Sequence, residues 1–252
     1  TVVLINYVVC FTVGSLHLLL KATPVVFNST IASSSAIMGL LFISMFYLMG
    51  VLTNKNGVAV SSIVSRLSLV IPTLFFFLFY NEPISVKATI GIAIAILSII
   101  LVNNKANKSG SKFSGFLPLI VFIGYGLVDI GLKLSQTLIA KFNDAQHEMT
   151  LGIFAFAGIY GWLGKFIFRV PLQKKSIVIG LVLGVVNYYS IFFFLHALQK
   201  VQLASTVVFP INGIAILLLA NLASILVFKE KIGFKKAIAL VLATISIVLL
   251  SS

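Results

Sequence analysis

Nine apolar runs of about twenty residues, separated by short polar gaps, make up almost the whole of this chain. At about 1.5 Å per residue, each run is long enough to cross a hydrocarbon layer of about 30 Å as one helix. The runs fall near 1–20, 31–53, 57–80, 84–103, 114–135, 148–168, 176–198, 203–228 and 233–251. A membrane β-barrel would need segments of about ten residues with strict alternation. Runs such as Ile90–Val102 and Ile177–Val186 are apolar on every side, so the spacing predicts helices. Only 9% of residues are charged and 60% are hydrophobic, whereas a soluble domain carries roughly 25% charged residues to cover its surface. The predicted fold class is all-α, a polytopic transmembrane helical bundle.

The net charge of +13 (18 Lys and Arg against 5 Asp and Glu) would suggest nucleic acid in a soluble protein. Here the basic residues fall mostly in the gaps between apolar runs, where they act as topology signals beside lipid headgroups. No basic stripe with interleaved aromatics is present, and no nucleic-acid partner is expected. The single cysteine, Cys10, lies within an apolar run and can form no internal disulfide.

The longest charged hydrophilic stretch, 103–114, divides the chain near its middle, and the two sides read as weak copies of each other. A shift of 145 residues superposes Gly39 on Gly184, Lys55 on Lys200 and Ala59 on Ala204. Each half ends in a long helix, a hairpin bearing an acid (Glu82 or Glu230) and a final helix. The second half has five helices and the first has four. Segment 1–20 pairs with the second helix of the later half, so the expectation is that the first helix of a five-plus-five protein is missing. The predicted organisation is a first repeat at 1–103, a linker at 104–113 and a second repeat at 114–252. Two sequential five-helix copies enter a membrane in opposite orientations, which is the inverted-repeat plan of many transporters.

Several stretches resemble the EamA-like branch of the drug/metabolite transporter superfamily. Gly57-Val-Ala-Val-Ser-Ser, Val70-Ile-Pro72 and Phe79-Tyr-Asn-Glu82-Pro look like that family's fourth helix and following hairpin. Leu203-Ala-Ser-Thr, Pro210 and Phe228-Lys-Glu230 are similar to its ninth and tenth helices. The resemblance implies ten helices in two inverted repeats, a central cavity, and export or exchange of small metabolites without ATP. It implies both termini on the inside, while the distribution of Lys and Arg over alternate loops places the C-terminus outside. The two indications point opposite ways.

Charge inside an apolar helix is costly, about 2.5–3.5 kcal/mol on insertion scales, so it marks a cavity or a partner. Arg66 stands ten residues into 57–80, and its planar fork suits a carboxylate or phosphate. The alternative is a structural ion pair, with Asp129 the nearest candidate. Asp129 is itself a candidate proton or cation site, and Lys133, one helical turn on, has the spacing of an intrahelical partner. Asn187, Tyr188, Asn212, Asn6 and Ser65 complete the expected cavity lining, with Tyr7, Tyr189 and Pro210 near them in sequence. Taken singly, each polar residue is equally suited to bonding one helix to another. Glu82 and Glu230 read as structural acids that cap helix starts or pair with Lys87 and Lys235.

No enzyme is expected. The three histidines, His17, His147 and His196, are scattered along the chain, and no zinc-helix spacing or phosphate-binding glycine loop occurs. No cofactor and no metal are predicted. The expected function is secondary-active transport, as exporter or exchanger, of a small anionic or amphipathic metabolite, with proton or ion coupling. The expected location is the bacterial inner membrane. A membrane-embedded enzyme and a non-transporting scaffold are the alternatives.

Overall fold

A computed structural model describes the chain except for residues 22–27, 82, 104–111, 142–145, 170–173, 201–204, 231 and 251–252. The linker prediction and Glu82 therefore fall largely outside the described residues. All regular structure among the described residues is helical: α1 (Val2–Lys21), α2 (Ser29–Asn56), α3 (Val58–Leu67), α4 (Val70–Tyr80), α5 (Val86–Asn103), α6 (Lys112–Lys141), α7 (Gln146–Phe168), α8 (Lys174–Lys200), α9 (Ser205–Leu226) and α10 (Phe234–Leu250). Six stretches among the described residues are long and apolar enough to span a membrane, and two shorter apolar helices accompany them. The protein is a multi-pass membrane protein. Large apolar side chains such as Leu219, Val182 and Phe193 point outward, as expected where the surrounding solvent is lipid.

Helices are the answer to a medium that offers the backbone no hydrogen-bond partners. The starts of α2 and α5 are marked by polar side chains that take a free N–H group of the first turn. Asn28, part of an Asn-Ser-Thr sequon, uses its Oδ1 to accept the Ile31 N–H at 2.8 Å. Ser85 Oγ accepts the Ala88 N–H at 3.0 Å. Lys55 and Lys141 sit in the last turns of α2 and α6, where a cation suits the helix dipole. α6 continues past the apolar run ending near 135, because Thr137-Leu-Ile-Ala140 extends the helix without a breaker.

The run 57–80 departs from the single helix that periodicity predicts. It is interrupted by a turn at Ser68 and Leu69. The cause is Pro72, which has no N–H to give the Ser68 carbonyl. That carbonyl instead accepts the Ile71 N–H at 2.9 Å, and the Arg66 carbonyl accepts the Leu69 N–H at 3.4 Å. Both are tighter i to i+3 bonds. The break thus falls within two residues of the charged position.

The described chain forms two compact units. The first comprises Thr1–Tyr47 and Gly131–Gln202, and the second comprises Leu48–Ile130 and Leu203–Ser252. Each draws on residues from both predicted repeats. In the first unit α1 runs antiparallel to α7, with Leu4 against Gly161, Tyr7 against Gly158 and Leu151 against Gly14. α1 runs parallel to α8, with Ile5 against Gly180 and Val9 against Gly184. Tyr7, Cys10, Phe154, Ala157, Tyr188 and Phe192 form the core of this packing.

Close approach is what glycine provides at Gly39 and Gly184. A Cβ on Gly39 would lie 2.8 Å from the Ala157 nitrogen and 2.9 Å from the Ile153 oxygen on α7. One on Gly184 would lie 2.7 Å from the Asn6 oxygen on α1. The two glycines that the 145-residue shift superposes therefore make the same kind of contact, on α7 and on α1.

The second unit contains a reciprocal pair. Ser98 Oγ on α5 donates to the Ala239 carbonyl on α10 at 2.8 Å. Ser246 Oγ on α10 donates to the Gly91 carbonyl on α5, also at 2.8 Å. Ser98 and Ser246 are 148 positions apart, as are Gly91 and Ala239. The two helices run antiparallel, since the later residue of one meets the earlier residue of the other.

Gly39→Val should lower the thermal midpoint in detergent, by about 1–3 kcal/mol of stability, because it forces a branched side chain against backbone. Gly50→Ala, where a Cβ meets nothing within 4 Å, should not lower it. Equal midpoints for the two variants would contradict the packing described.

Candidate functional site

Arg66 lies at the end of α3 on a helix whose polar residues are mostly turned inward and self-satisfied. Ser61 Oγ donates to the Gly57 carbonyl at 2.9 Å, Ser62 to Ala59 at 2.9 Å, Ser65 to Ser62 at 3.2 Å and Ser68 to Ser65 at 2.6 Å. Ser65, an expected cavity residue, is buried and bonded to its own helix. Asn221 on α9 braces this ladder, donating to Ser62 Oγ at 3.1 Å and to the Leu217 carbonyl at 2.7 Å.

The arginine itself is treated differently. Its side chain is half-buried, its guanidinium carbon stands 5.9 Å from the centre of the Tyr125 ring, and its Nε is buried with no hydrogen-bond partner among the described residues. Asp129, one turn along α6 from Tyr125, accepts a hydrogen bond from the Ser68 hydroxyl at 3.4 Å and lies within electrostatic reach of Arg66. From α9, Gly213 presents its bare Cα side to Arg66, where a Cβ would lie 3.9 Å from Cδ. Half-buried Asn212 is its neighbour. The structure therefore gathers Arg66 and Asp129 around the helix break, with Tyr125 and Ser68 between them. Such a patch holds a cation with an unspent donor, a carboxylate and an aromatic face (the components for gripping a small polar solute).

The remaining expected residues belong to the first unit. Asn187 Nδ2 donates to Asn6 Oδ1 at 3.3 Å, and Asn6 Nδ2 is buried with no partner among the described residues. Tyr188 Oη is 3.0 Å from His17 Nδ1. Tyr7 is fully buried against Phe46 and Phe154. Lys133 also falls in this unit, and the side chain of Pro210 lies outside the described residues.

The histidines are scattered in sequence but not in space. His17 and His147 rings meet edge to face at 5.1 Å, and both pack on Phe192 at 4.8 and 5.1 Å. His196 stacks on the same ring at 6.0 Å. Gln146 donates from Nε2 to the Phe192 carbonyl at 2.9 Å, which turns its Oε1 toward His196 Nδ1 at 3.3 Å. An amide oxygen only accepts, so this contact makes His196 Nδ1 the protonated nitrogen. Among the described residues no three His, Cys, Asp or Glu side chains converge as metal ligands.

Glu230 ties the second unit's last hairpin to the start of the arginine helix. Its Oε1 accepts the Val58 N–H at 2.7 Å, and its Oε2 accepts the Ser224 hydroxyl at 2.9 Å. Gly57 precedes α3 at φ 90°, and a Cβ there would come within 2.8 Å of the carboxylate. Burial alone would push the Glu230 carboxyl up. The Val58, Ser224 and Ala59 hydrogen bonds and the charge of Lys236 outweigh it and hold the group below the ordinary glutamate value.

No family model matches this chain. It is 33% identical over 199 residues to a protein of Haemophilus influenzae described as uncharacterized, a match covering 78% of this chain and 67% of that protein. The chain belongs to that protein's family. A solved crystal structure has the same fold, with a TM-score of 0.66 over 98% of this chain and 86% of the other. At 13% identity that likeness carries the fold alone.

In this family member sequence reasoning missed Tyr125, Asn221 and the histidine cluster. Tyr125 stands one turn before Asp129, a spacing that could have drawn attention to it. Asn221 and the histidines carried no local signal.

The Glu230 latch has a pH signature. Because its folded value is lowered, its contribution is complete above the ordinary glutamate range and fades as pH falls through the folded value. Glu230→Gln should cost about 1 kcal/mol at neutral pH, the size of a lost helix cap. Thermal midpoints of wild type and variant, measured from neutral pH down to about pH 2, well below the ordinary glutamate value, should converge. A gap that stays constant with pH would contradict the charged latch.

Proposed function

We propose that this protein is a secondary-active transporter that exports or exchanges a small metabolite by alternating access, in the bacterial inner membrane. The observation that carries this reading is Arg66. It is a charged group in the middle of a membrane-spanning stretch, beside a helix break, with a buried donor that no described residue takes. Interrupted helices at that position are the usual means by which transporters offer polar groups to a solute. Arg66 would hold a carboxylate or phosphate on the substrate, with Tyr125 contributing an apolar face. Asp129 would exchange a proton or cation as the substrate's charge arrives and leaves. A small anionic or amphipathic solute fits this set.

The architecture expected of such a protein, two inverted repeats, is supported by the helix contacts. Ser98 and Ser246 exchange equivalent bonds, and Gly39 and Gly184 accept α7 and α1 in equivalent ways. Exchange of this kind between partners in antiparallel helices is the pattern made by a twofold axis perpendicular to them. For helices that cross a membrane, such an axis lies in the membrane plane, and the copies it relates are inverted. The resemblance to the EamA-like transporters agrees with this, as does a relative from a bacterium. Neither the membrane-embedded enzyme nor the scaffold gains a supporting contact.

Transport is tested by reconstituting the protein in liposomes and measuring uptake over a panel of anionic, zwitterionic and neutral metabolites. Arg66→Ala should reduce uptake of every transported compound about tenfold or more, the loss expected when a charged hydrogen bond is removed. Arg66→Lys should recover only part of it, since a point charge cannot replace the planar fork. Equal uptake by wild type and Arg66→Ala would remove Arg66 from the site.

A further inference from the structure

The first unit contains a cavity of about 450 Å³ between α1 and α7, which has no part in the sites above. That volume lies within the roughly 300–1,000 Å³ of ligand-sized pockets and is too large for a packing defect. Its walls include Tyr7, Phe11, Phe154, Gly158, Trp162 and Phe166, and they are almost wholly apolar. It opens sideways. Phe11 is 42% exposed and Phe166 is 71% exposed, so the opening faces the lipid.

One end of this groove is charged. Trp162 and Phe166 lie near the end of α7, and Lys165 Nζ rests 4.5 Å from the centre of the Trp162 ring. Arg169, four residues after Lys165, follows the end of α7 with a left-handed φ of 48° and is exposed, and α8 opens with Lys174. Between Glu148 and Glu230 the sequence has no acidic residue. Among the described residues of the first unit the acid is Glu148, in the first turn of α7, the far end of that helix. Among the described residues of this unit, no carboxylate stands at the basic end of the groove. An apolar slot open to lipid and headed by basic groups has the shape and charge of a complement to an anionic lipid.

We propose that the α1–α7 groove binds an anionic phospholipid, one acyl chain lying between the helices and the phosphate held by Lys165 and Arg169. The aromatic walls supply dispersion contact to the chain. The two basic groups supply the headgroup selectivity, worth roughly fivefold in affinity for each.

Trp162 is the only tryptophan in the chain, so its fluorescence reports the groove directly and needs no transport assay. The full chain is placed in phosphatidylcholine vesicles containing a rising fraction of either brominated phosphatidylglycerol or brominated phosphatidylcholine. Bromine quenches the indole on contact, and each curve is scaled to its own unquenched signal. The anionic lipid should quench at a mole fraction at least several-fold lower than the zwitterionic one. The double variant Lys165→Gln, Arg169→Gln, which alters one half-buried and one exposed position, should bring the two curves together. Identical curves for the wild type would mean unselective surrounding lipid and would overturn the proposal. Absence of quenching by either lipid would mean that a second copy or another protein segment covers the groove, and would overturn it too.

Discussion

A polar group placed in hydrocarbon must find its partner within the protein, and most of this structure follows from that requirement. The backbone meets it by forming helices throughout the membrane-spanning stretches. The serines of α3 meet it by donating to carbonyls three or four residues earlier, which keeps their hydroxyls from demanding anything of their neighbours. Ser98 and Ser246 meet it across a helix pair, turning the same need into a specific contact. Against that background Arg66 stands out, its buried Nε having no partner among the described residues. Its cost has to be offset by something, and the groups around it, Tyr125, Ser68 and Asp129, form a set suited to a solute.

The helix break explains why that set assembles where it does. Pro72 deprives the Ser68 carbonyl of its usual donor, the chain tightens into a turn there, and the Ser68 hydroxyl stands 3.4 Å from Asp129 on α6. At the opposite end of the same helix, Glu230 occupies the N–H groups of the first turn. Both ends of α3 are thus held by polar contacts from other elements of the same unit, with Arg66 near the inner end. Between those ends α3 is buried along its length, with Ala59, Val60, Ile63, Val64 and Leu67 in the core of the unit.

How much of this was legible in the sequence depends on the kind of signal each feature leaves. The helices were legible because uninterrupted apolar runs have one interpretation in a membrane. Arg66 and Asp129 were legible because charge within such a run is costly and has to be explained. The turn at Ser68 and Leu69 was half-written in Pro72, whose effect is exerted on the preceding turn. The rest was hidden by the same apolarity. A run that is apolar on every face does not say which face meets which neighbour, so the pairing of Asn221 with Ser62 and the approach of Tyr125 to Arg66 left no pattern. The three histidines come from three helix ends, 130 and 49 positions apart, and only the packing of α1, α7 and α8 around Phe192 brings them together.

The account rests on Arg66 facing a polar space that water reaches, rather than lipid or a sealed core. Cysteine accessibility in intact membranes tests this most directly, in a Cys10→Ala background that removes the single native thiol. Arg66→Cys should react with a small, membrane-impermeant thiol reagent supplied in the aqueous phase. Leu219→Cys, on the outward apolar face of α9, should react only with a reagent that dissolves in the bilayer. If Arg66→Cys behaves like Leu219→Cys, or resists both reagents, the position is not exposed to an aqueous path and the reading of this site as a solute-binding one is contradicted.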